Sequence, residues 1–399
     1  MKRLMSLMQS ILADASIWCR TSSTRDFETI TRRVENEGLS FLTITLPKFC
    51  SDFERSLDRG FVSPSDFAGF SRSGELPRFL GGFLDLVFNR KSGVLLDTPD
   101  RQAIFFIRQT CLVCKKIRLP CSKARQKEAF DAYIKCEKEV AAWEESVSSD
   151  KLDRFFRISN LLFSGALAPV EAIVANGGLV PRHGPGSVAE RLVGNEKFKL
   201  TEWTHRLDGS FPSDQFLLPN PGFQELLEPV TFLEPEAERP VRIISVPKTL
   251  KSPRIIGIEP CCMQYAQQSI LEVLVRALES DKLYGALGFT DQGPNQAKAR
   301  IGSLTGKLAT LDLSEASDRV SNLLVRLMFS NHPHLDAAVQ ACRSLRADVP
   351  GHGIHTISKF ASMGSAICFP IEAMVFLTVV AIGYEDSLAR TLSRKDVVD

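Results

Sequence analysis

The spacing of apolar residues predicts a mostly helical first half of the chain. Near the N-terminus, apolar side chains recur at intervals of three and four residues, which is the period of an amphipathic helix and not of a continuous hydrophobic segment. The positions are Leu4, Leu7, Met8, Ile11 and Leu12. Amphipathic segments continue to about residue 180, where the first strong cluster of proline and glycine begins at Pro181.

The second half of the chain alternates between strand-like and helix-like segments. Two β-branched runs, Val241–Val246 and Arg254–Ile258, predict a pair of strands in a hairpin-like arrangement. Met263–Leu278 has helical periodicity, Leu308–Leu313 is predicted to be a short strand, and a long apolar helix is expected from about Phe369. A further helix face is traced by Val320, Leu323, Leu324, Leu327 and Met328. This order of elements predicts an α+β fold.

Length, composition and charge narrow the class of protein. The chain has 399 residues and is longer than most chains that fold around a single hydrophobic core, so we expect more than one lobe. Hydrophobic residues make up 44% and charged residues 24%, which excludes a disordered or collagen-like protein. The net charge is only +2, so nucleic-acid binding would depend on local clusters of cations. The longest apolar run, Ala373–Ile382, is about half as long as a membrane span. The cysteines are irregularly spaced, which indicates reduced, cytosolic thiols.

The first candidate site is a basic cluster. Five cations lie within 16 residues that contain no acid: Arg239, Arg242, Lys248, Lys251 and Arg254. Arranged on a hairpin, such cations converge on one face and hold phosphate groups through charge-assisted hydrogen bonds. The cluster is notable because the chain as a whole is nearly neutral. A solvated basic loop without a ligand fits the pattern equally well.

Two aspartates form the second candidate site. Asp312 stands at the end of the predicted strand, where a carboxylate is costly unless it is paired or bound to a metal. A strand end that delivers an aspartate to a cleft is typical of two-metal phosphoryl-transfer sites. Asp318 follows one turn later and suits hydrogen bonding to a sugar hydroxyl. Alternatively, Asp312 or Ser314 caps the helix that follows.

The third candidate is a segment of small residues, Lys359–Ala366. Gly364 lets the backbone approach a ligand closely, and Ser362 or Ser365 can hydrogen-bond a ribose or a template sugar. An ordinary helix N-cap with a flexible lead-in is the alternative interpretation.

Taken in order, the three segments resemble motifs F, A and B of viral RNA-dependent RNA polymerases. More narrowly, they resemble the replicase β subunit of the leviviruses, the small RNA phages. The resemblance is carried by Val246–Pro260, Phe289–Gln296, Leu311–Arg319 and Lys359–Gly364. Upstream, the expected order continues in Pro77–Phe83, Gly93–Asp97 and His183–Gly186. The similarity therefore extends over nearly the whole chain.

The resemblance implies a right-hand polymerase that copies RNA from nucleoside triphosphates with two Mg²⁺ ions. It implies a helical N-terminal and fingers region over residues 1–235, a motif F hairpin region over 236–300 and a partial palm over 301–399. The implied partners are the phage RNA template, the host elongation factors Tu and Ts and a host ribosomal protein. The implied location is the cytoplasm of the infected bacterium, with no membrane association.

The same resemblance assigns roles to individual residues. Asp312 is expected to ligate the catalytic metals, and Asp318 is expected to recognise the ribose hydroxyl of the incoming nucleotide. Ser362 and Gly364 are expected to line the loop that contacts template and nucleotide. The cations expected to bind the triphosphate are Arg242, Lys248, Lys251 and Arg254.

Two departures from the family pattern bear on activity. Many relatives carry asparagine where this chain has Ser365. Motif C, which supplies further metal-binding aspartates, is absent, because no two aspartates are adjacent in the 399 residues. Gly383–Asp386 is expected to continue the preceding helix and not to replace motif C. We therefore expect the sequence to stop before motif C and the thumb, and the chain by itself to transfer no nucleotides.

Two other functions fit parts of the pattern. A non-catalytic RNA-binding module would use the basic hairpin to contact phosphates, with Asp312 only capping a helix. A reverse transcriptase shares the palm chemistry, but Asp318 suits ribonucleotides better than deoxyribonucleotides. In a C-terminally completed chain, loss of synthesis with retained RNA binding on Asp312→Asn substitution would distinguish a polymerase from a binding module.

Overall fold

The computed structural model describes residues 2–398, which divide into two compact units. Unit 1 comprises the chain up to Ala129 together with Ser245–Arg254. Unit 2 comprises Phe130–Ile244 and the chain from Ile255 onward. Among the described residues, unit 1 has one apolar core and unit 2 has two.

Unit 1 is a helical assembly with one short hairpin. Its helices are α1 (Lys2–Cys19), α2 (Thr24–Glu37), α3 (Leu46–Arg59), α4 (Gly81–Leu84) and α5 (Arg101–Leu112). Its strands, β1 (Arg72–Ser73) and β2 (Leu76–Pro77), pair antiparallel. A π-helical turn, Phe41–Thr45, precedes α3, and α6 (Lys123–Ser146) begins in unit 1 and continues into unit 2. The helix predicted at the N-terminus is confirmed, since Met8, Ile11 and Leu12 of α1 are buried.

Aromatic rings fill much of the core of unit 1. Phe49 lies 4.5 Å from Phe67 and 5.4 Å from Phe79, measured between ring centroids. Phe70 stacks on Phe79 at 5.3 Å. Rings at these distances contribute both apolar burial and favourable edge contacts. The helices α1 and α3 pack this core against α5.

Unit 2 contains the remaining helices. They are α7 (Ser149–Ala175), α8 (His205–Ser210), α9 (Ser213–Phe216), α10 (Cys261–Ser280), α11 (Gly293–Thr305), α12 (Asn322–Phe329), α13 (Pro333–Ala341), α14 (Cys368–Leu388) and α15 (Lys395–Val398). Short 3₁₀ helices cover Gly194–Phe198, Pro221–Leu227, Lys282–Gly285 and Ser317–Arg319. The long helix α7 is central, because α10, α12, α13 and α14 all pack against it.

Two small sheets complete unit 2. β3 (Glu202–Thr204) and β4 (Thr231–Leu233) pair in parallel. A four-stranded sheet has the order β6-β5-β7-β8 and consists of β5 (Val241–Val246), β6 (Arg254–Ile258), β7 (Arg346–Val349) and β8 (Gly353–Thr356). β5 runs parallel to β7, and β7 runs antiparallel to β8. The loop between β5 and β6 belongs to unit 1, so the two strands connect the units along the chain.

Most of the predicted elements in the second half are confirmed. β5 and β6 have the predicted bounds and are neighbours in one sheet. The predicted helices correspond to α10, α12 and α14, and the α+β class is consistent with the observed mixture. Gly383–Asp386 lies within α14, as expected.

The predicted strand at Leu308–Leu313 is wrong. The segment has no regular secondary structure, and Leu308, Leu311 and Leu313 are 51%, 84% and 58% exposed. A strand is stable only when neighbouring backbone accepts and donates its hydrogen bonds, and no described segment pairs with this one. The apolar residues alone do not supply that partner.

By length and composition, two helices of the described chain are long and apolar enough to cross a membrane, namely α7 and α14. Both contribute buried residues to the same core of unit 2. A core helix of a globular unit satisfies the same criterion.

Candidate functional site

The loop between β5 and β6 presents cations in unit 1. We call residues 247–253 the cationic loop; Lys248, Lys251 and the adjoining Arg254 are exposed. None of the three forms an ion pair with a described residue. The loop backbone is held by Arg125, whose Nη1 donates to the carbonyl of Leu250 at 2.8 Å. The loop therefore presents exposed cationic side chains on a backbone that is held in place, an arrangement that suits phosphate binding.

The other two members of the basic cluster lie in unit 2 and differ from this pattern. Arg239 pairs with Glu202 at 2.5 Å and with Glu190 at 3.6 Å, so acids remote in sequence neutralise it. Arg242 is half-buried on β5, and its Nε has no hydrogen-bond partner among the described residues. Of the five cations expected to converge, Arg239 is therefore held in ion pairs within the fold. The other four remain candidates for binding phosphate.

Asp312 lies in the exposed segment that replaces the predicted strand. Within the described chain it makes no hydrogen bond or ion pair, so it is not the acid at the end of a buried strand that the sequence suggested. Nor does it cap a helix, because the 3₁₀ helix Ser317–Arg319 has no side-chain cap and Ser321 caps α12 by accepting a hydrogen bond from the N–H of Leu323 at 3.1 Å. Its carboxylate is therefore free to bind a cation or solvent.

The described residues do not assemble a two-metal site. Carboxylate oxygens such as those of Asp312 are the ligands that Mg²⁺ prefers. However, no group of three or more histidine, cysteine or acidic side chains is close enough to hold a metal ion in residues 2–398. Asp312 has the right chemistry, but a two-ion site would need further ligands.

Asp318 belongs to a buried cluster centred on Lys359. The Lys359 side chain is fully buried, and its Nζ donates to Asp318 Oδ1 at 2.9 Å. Nζ also lies 3.7 Å from Glu137 Oε2 and 3.3 Å from the centre of the Tyr133 ring. A buried ammonium is stable only when acids and π-electrons compensate its lost hydration, and here both do. We call Lys359, Asp318, Glu137, Tyr133 and Ser362 the Lys359 cluster.

The cluster reaches the small-residue segment through Tyr133. Its hydroxyl lies 2.7 Å from the Ser362 hydroxyl, and both side chains are buried. The N–H of Gly257 on β6 donates to the carbonyl of Met363 at 2.8 Å. Gly364 has a φ of 125°, and a Cβ there would overlap the carbonyl of Gly257. Glycine is therefore required by both conformation and space, and the structure joins the segments resembling motifs F, A and B in unit 2.

Electrostatics keep Lys359 charged. Burial by itself lowers the pKa of Lys359, but Tyr133 and the hydrogen-bonded Asp318 oppose it, and the net pKa lies above the ordinary value. Burial also raises the pKa of Tyr133, so its hydroxyl stays protonated. The ammonium therefore persists at neutral pH and holds one oxygen of Asp318, whose side chain is 20% exposed.

Arg343 shapes the chain that leads into this cluster. Its buried guanidinium donates to the carbonyls of Phe360 at 2.8 Å, Ile357 at 2.6 Å and Lys359 at 2.7 Å. Burial lowers the pKa of Arg343 to about 10, which still leaves it charged at neutral pH. Because the Arg343 guanidinium donates to three carbonyls at once, it fixes the backbone conformation around Lys359.

Sequence reasoning assigned no role to Tyr133, Glu137, Arg343 or Lys359. The i, i+4 spacing of Tyr133 and Glu137 places them on one face of α6 but does not identify what they face. Lys359 offered one signal, since it stands between the apolar residues Ile357 and Phe360. A lysine between apolar residues either reaches solvent with its ammonium group or is buried beside groups that compensate its charge.

Glu259, at the end of β6, gives unit 2 a pH-dependent stability. It is buried and accepts a hydrogen bond from Ser344 Oγ at 2.5 Å. Burial raises its pKa to about 7, against an ordinary value of 4.5. Because the folded state favours the protonated acid, its contribution is fully present below pH ~4.5 and is lost as pH rises through about 7.

We expect Glu259→Gln to remove this dependence. The free energy of unfolding of the unchanged protein should fall by about 3 kcal/mol between pH 4.5 and 8 relative to that of the variant. Urea unfolding at several pH values measures the difference, with the exposed Glu145→Gln as control. Parallel pH profiles for Glu259→Gln and the unchanged protein would contradict the raised pKa.

Comparisons with known proteins match the stretch of chain that contains these segments. Residues 236–384 match the family model for the RNA replicase β-chain. The chain is 32% identical over 177 residues to the RNA-directed RNA polymerase subunit beta of Escherichia virus Qbeta, covering 42% of this chain and 29% of the relative. It is 35% identical over 138 residues to that of Enterobacteria phage SP, covering 35% and 23%.

A third relative is the RNA-directed RNA polymerase beta chain of Escherichia phage MS2, with 34% identity over 138 residues, covering 35% of this chain and 24% of the relative. In each case the matched stretch spans less than a third of the relative's length. The match includes the cationic loop, Asp312, Asp318 and the Lys359 segment. Residues 236–384 are therefore similar to the RNA replicase β-chains of the RNA phages.

Proposed function

We propose that the chain binds RNA template and nucleoside triphosphate as part of an RNA-directed RNA polymerase. The observation that carries the proposal is the Lys359 cluster, which links Asp318 to Ser362 inside the stretch that matches replicases. The proposed fold is a right-hand polymerase, with fingers up to residue 300 and a partial palm from residue 301. The proposed setting is the cytoplasm of an infected bacterium, where the host elongation factors Tu and Ts and a ribosomal protein would be further partners.

Each proposed role follows from the chemistry of a side chain. Lys359 holds Asp318 Oδ1, which leaves the other oxygen to accept a hydrogen bond from a ribose hydroxyl. In unit 1, Lys248, Lys251 and Arg254 are free to neutralise triphosphate oxygens, as Arg242 would in unit 2. Ser362 and Gly364 would set the backbone beside template and nucleotide.

The metal chemistry of the proposal rests on Asp312 alone. Two Mg²⁺ ions in a polymerase need more than one carboxylate, and the sequence contains no adjacent aspartates. We therefore expect the 399-residue chain to bind ligands without transferring nucleotides. Template-dependent incorporation in a primer-extension assay with the purified chain would overturn this expectation.

The ribose role of Asp318 has a direct test. We expect the chain to bind ATP at least about tenfold more tightly than 2′-deoxy-ATP, since a hydrogen bond to a charged group contributes about 1.5–3 kcal/mol. Asp318→Ala should reduce this preference to near unity. Equilibrium binding of both nucleotides measures it, and Asp348→Ala, an exposed aspartate on β7, is the matched control.

The same measurement separates the proposal from a non-catalytic RNA-binding module. The module is favoured by the exposure of the cationic loop and by the absence of a described partner for Asp312. A module that contacts only phosphates, through the cationic loop, has no group that distinguishes ATP from 2′-deoxy-ATP. Salt-dependent RNA binding with no ribose preference in the unchanged chain would therefore favour the module over the polymerase.

A further inference from the structure

A cleft in unit 1 is lined by arginines that the proposed nucleotide site does not use. Its volume is about 830 Å³, and all of its lining residues belong to unit 1, between Ser22 and Arg90. The arginines that line it are Arg25, Arg32, Arg33, Arg78 and Arg90. We call it the arginine cleft. It lies outside residues 236–384, so the match to the replicase family does not assign it.

Two of the arginines are fixed parts of the wall. Arg90 pairs with Asp85 at 2.6 Å and donates to the carbonyl of Gly81 at 2.9 Å. Arg33 pairs with Glu37 and stacks over Phe70, with its guanidinium carbon 5.0 Å from the ring centre. These contacts neutralise part of their charge and make the wall rigid.

The other three arginines are available to a ligand. Arg25, Arg32 and Arg78 are exposed, and none forms an ion pair with a described residue. Arg78 is oriented by a hydrogen bond from its Nε to the carbonyl of Arg72 at 3.1 Å. The acid that lines the cleft, Asp26, is buried and accepts a hydrogen bond from the N–H of Leu80 at 2.6 Å. The cleft therefore attracts anions.

The motif Pro77–Phe83 explains how this wall is built. Leu80 has a φ of 54°, which turns the chain between β2 and α4. A Cβ at Gly82 would overlap the Thr21 hydroxyl, and one at Gly81 would lie 3.0 Å from Arg90 Nη2. Two consecutive glycines therefore let the backbone approach the side chains that frame the cleft.

The arrangement fits a chain of phosphates better than a single anion. Arg25 and Arg32 are seven residues apart on α2, so their backbone positions are separated by about 10 Å along the helix axis. Hydroxyl groups of Ser22 and Thr29 accompany them, and the half-buried Phe70 supplies an aromatic surface. Spaced cations with an aromatic surface are typical of proteins that bind single-stranded nucleic acid.

We propose that the arginine cleft binds the sugar–phosphate backbone of single-stranded RNA. The choice of RNA among polyanions rests on the proposed function, whereas the anion-binding character follows from the side chains alone. The cleft is a second RNA contact, separate in sequence from the cationic loop and from Asp318. It holds the strand through phosphates and so is indifferent to base sequence.

The test is a triple variant, Arg25→Gln, Arg32→Gln and Arg78→Gln. Binding of a fluorescent single-stranded RNA to the full chain should weaken about tenfold or more at moderate salt. The slope of log affinity against log salt is negative, and it should become less steep by about 2, since each phosphate contact on a single strand contributes about 0.7. The control replaces three exposed cations of unit 1 outside the cleft, Arg3, Lys48 and Arg101, with glutamine.

Each outcome is decisive. Unchanged RNA affinity and slope in the cleft variant, or an equal loss in the control variant, would overturn the proposal. Circular dichroism and thermal unfolding of both variants establish that unit 1 is folded, and the exposed positions of all six residues make unfolding unexpected. The ATP preference measured for Asp318 is unaffected by the cleft variant, so the failure of one proposal is distinguishable from failure of the other.

Discussion

Replacing Lys359 with methionine is expected to lower the free energy of unfolding of unit 2 by about 3–5 kcal/mol. Methionine fills a similar volume but leaves the buried Glu137 and the partly buried Asp318 without their shared cation. An uncompensated buried charge costs much more than the net worth of the ion pair. Urea unfolding followed by fluorescence of the buried Trp203 in unit 2 measures the loss.

Two further variants test whether charge is the cause. Lys307→Met removes an exposed lysine of the same unit and should change stability by less than about 0.5 kcal/mol. Adding Glu137→Gln to Lys359→Met should restore part of the loss, because glutamine keeps an acceptor for the N–H groups of Ser358 and Lys359. If Lys359→Met alone is as stable as the unchanged protein, the ion-pair account of the cluster is wrong.

The second large effect is expected from Gly364→Ala. A methyl group there would overlap the carbonyl of Gly257, and a φ of 125° is one that residues with a side chain rarely adopt. We expect a loss of about 2–4 kcal/mol, with the segment shifting away from β6. Thermal unfolding measures the stability.

The matched control for this variant is Gly306→Ala. Gly306 also has a positive φ, of 66°, but no atom lies within 4 Å of a Cβ built there. Alanine at that position should therefore cost only the conformational penalty of about 1–2 kcal/mol. Equal losses for the two variants would mean that the contact between Gly364 and Gly257 has no energetic role.

The sequence predicted elements whose signal is local. The bounds of β5 and β6 followed from two β-branched runs separated by a proline-flanked loop. The extension of α14 through Gly383–Asp386 followed from the lack of strand-like alternation after it. In both cases a few consecutive residues carry the necessary information.

The strand predicted at Leu308–Leu313 failed because a strand depends on a partner. Its apolar residues are compatible with burial in a sheet, but the sheet of unit 2 ends at β6 and β8 without including them. Whether an apolar segment is buried depends on which part of the chain, remote in sequence, packs over it. The same limit applies to the environment expected for Asp312.

The Lys359 cluster was beyond prediction for a related reason. Its members come from α6, from the turn at Ser317–Arg319 and from the segment before α14, which are far apart in sequence. Each residue has an ordinary local interpretation, for example as an exposed helix acid or a surface lysine. Only the tertiary fold shows that the ammonium group of Lys359 contacts Asp318, Glu137 and Tyr133 together.

The discontinuity of unit 1 has a practical consequence for anyone who wishes to produce it alone. A gene ending at Ala129 would omit Ser245–Arg254, and it would also cut α6 within its first two turns. An isolated version would therefore need the ten-residue insert grafted back through a designed linker, together with a redesigned end to α6. Proteolytic nicking between Ala129 and Ser245 should likewise fail to release an intact N-terminal piece, since its own tertiary contacts extend to residues encoded far downstream.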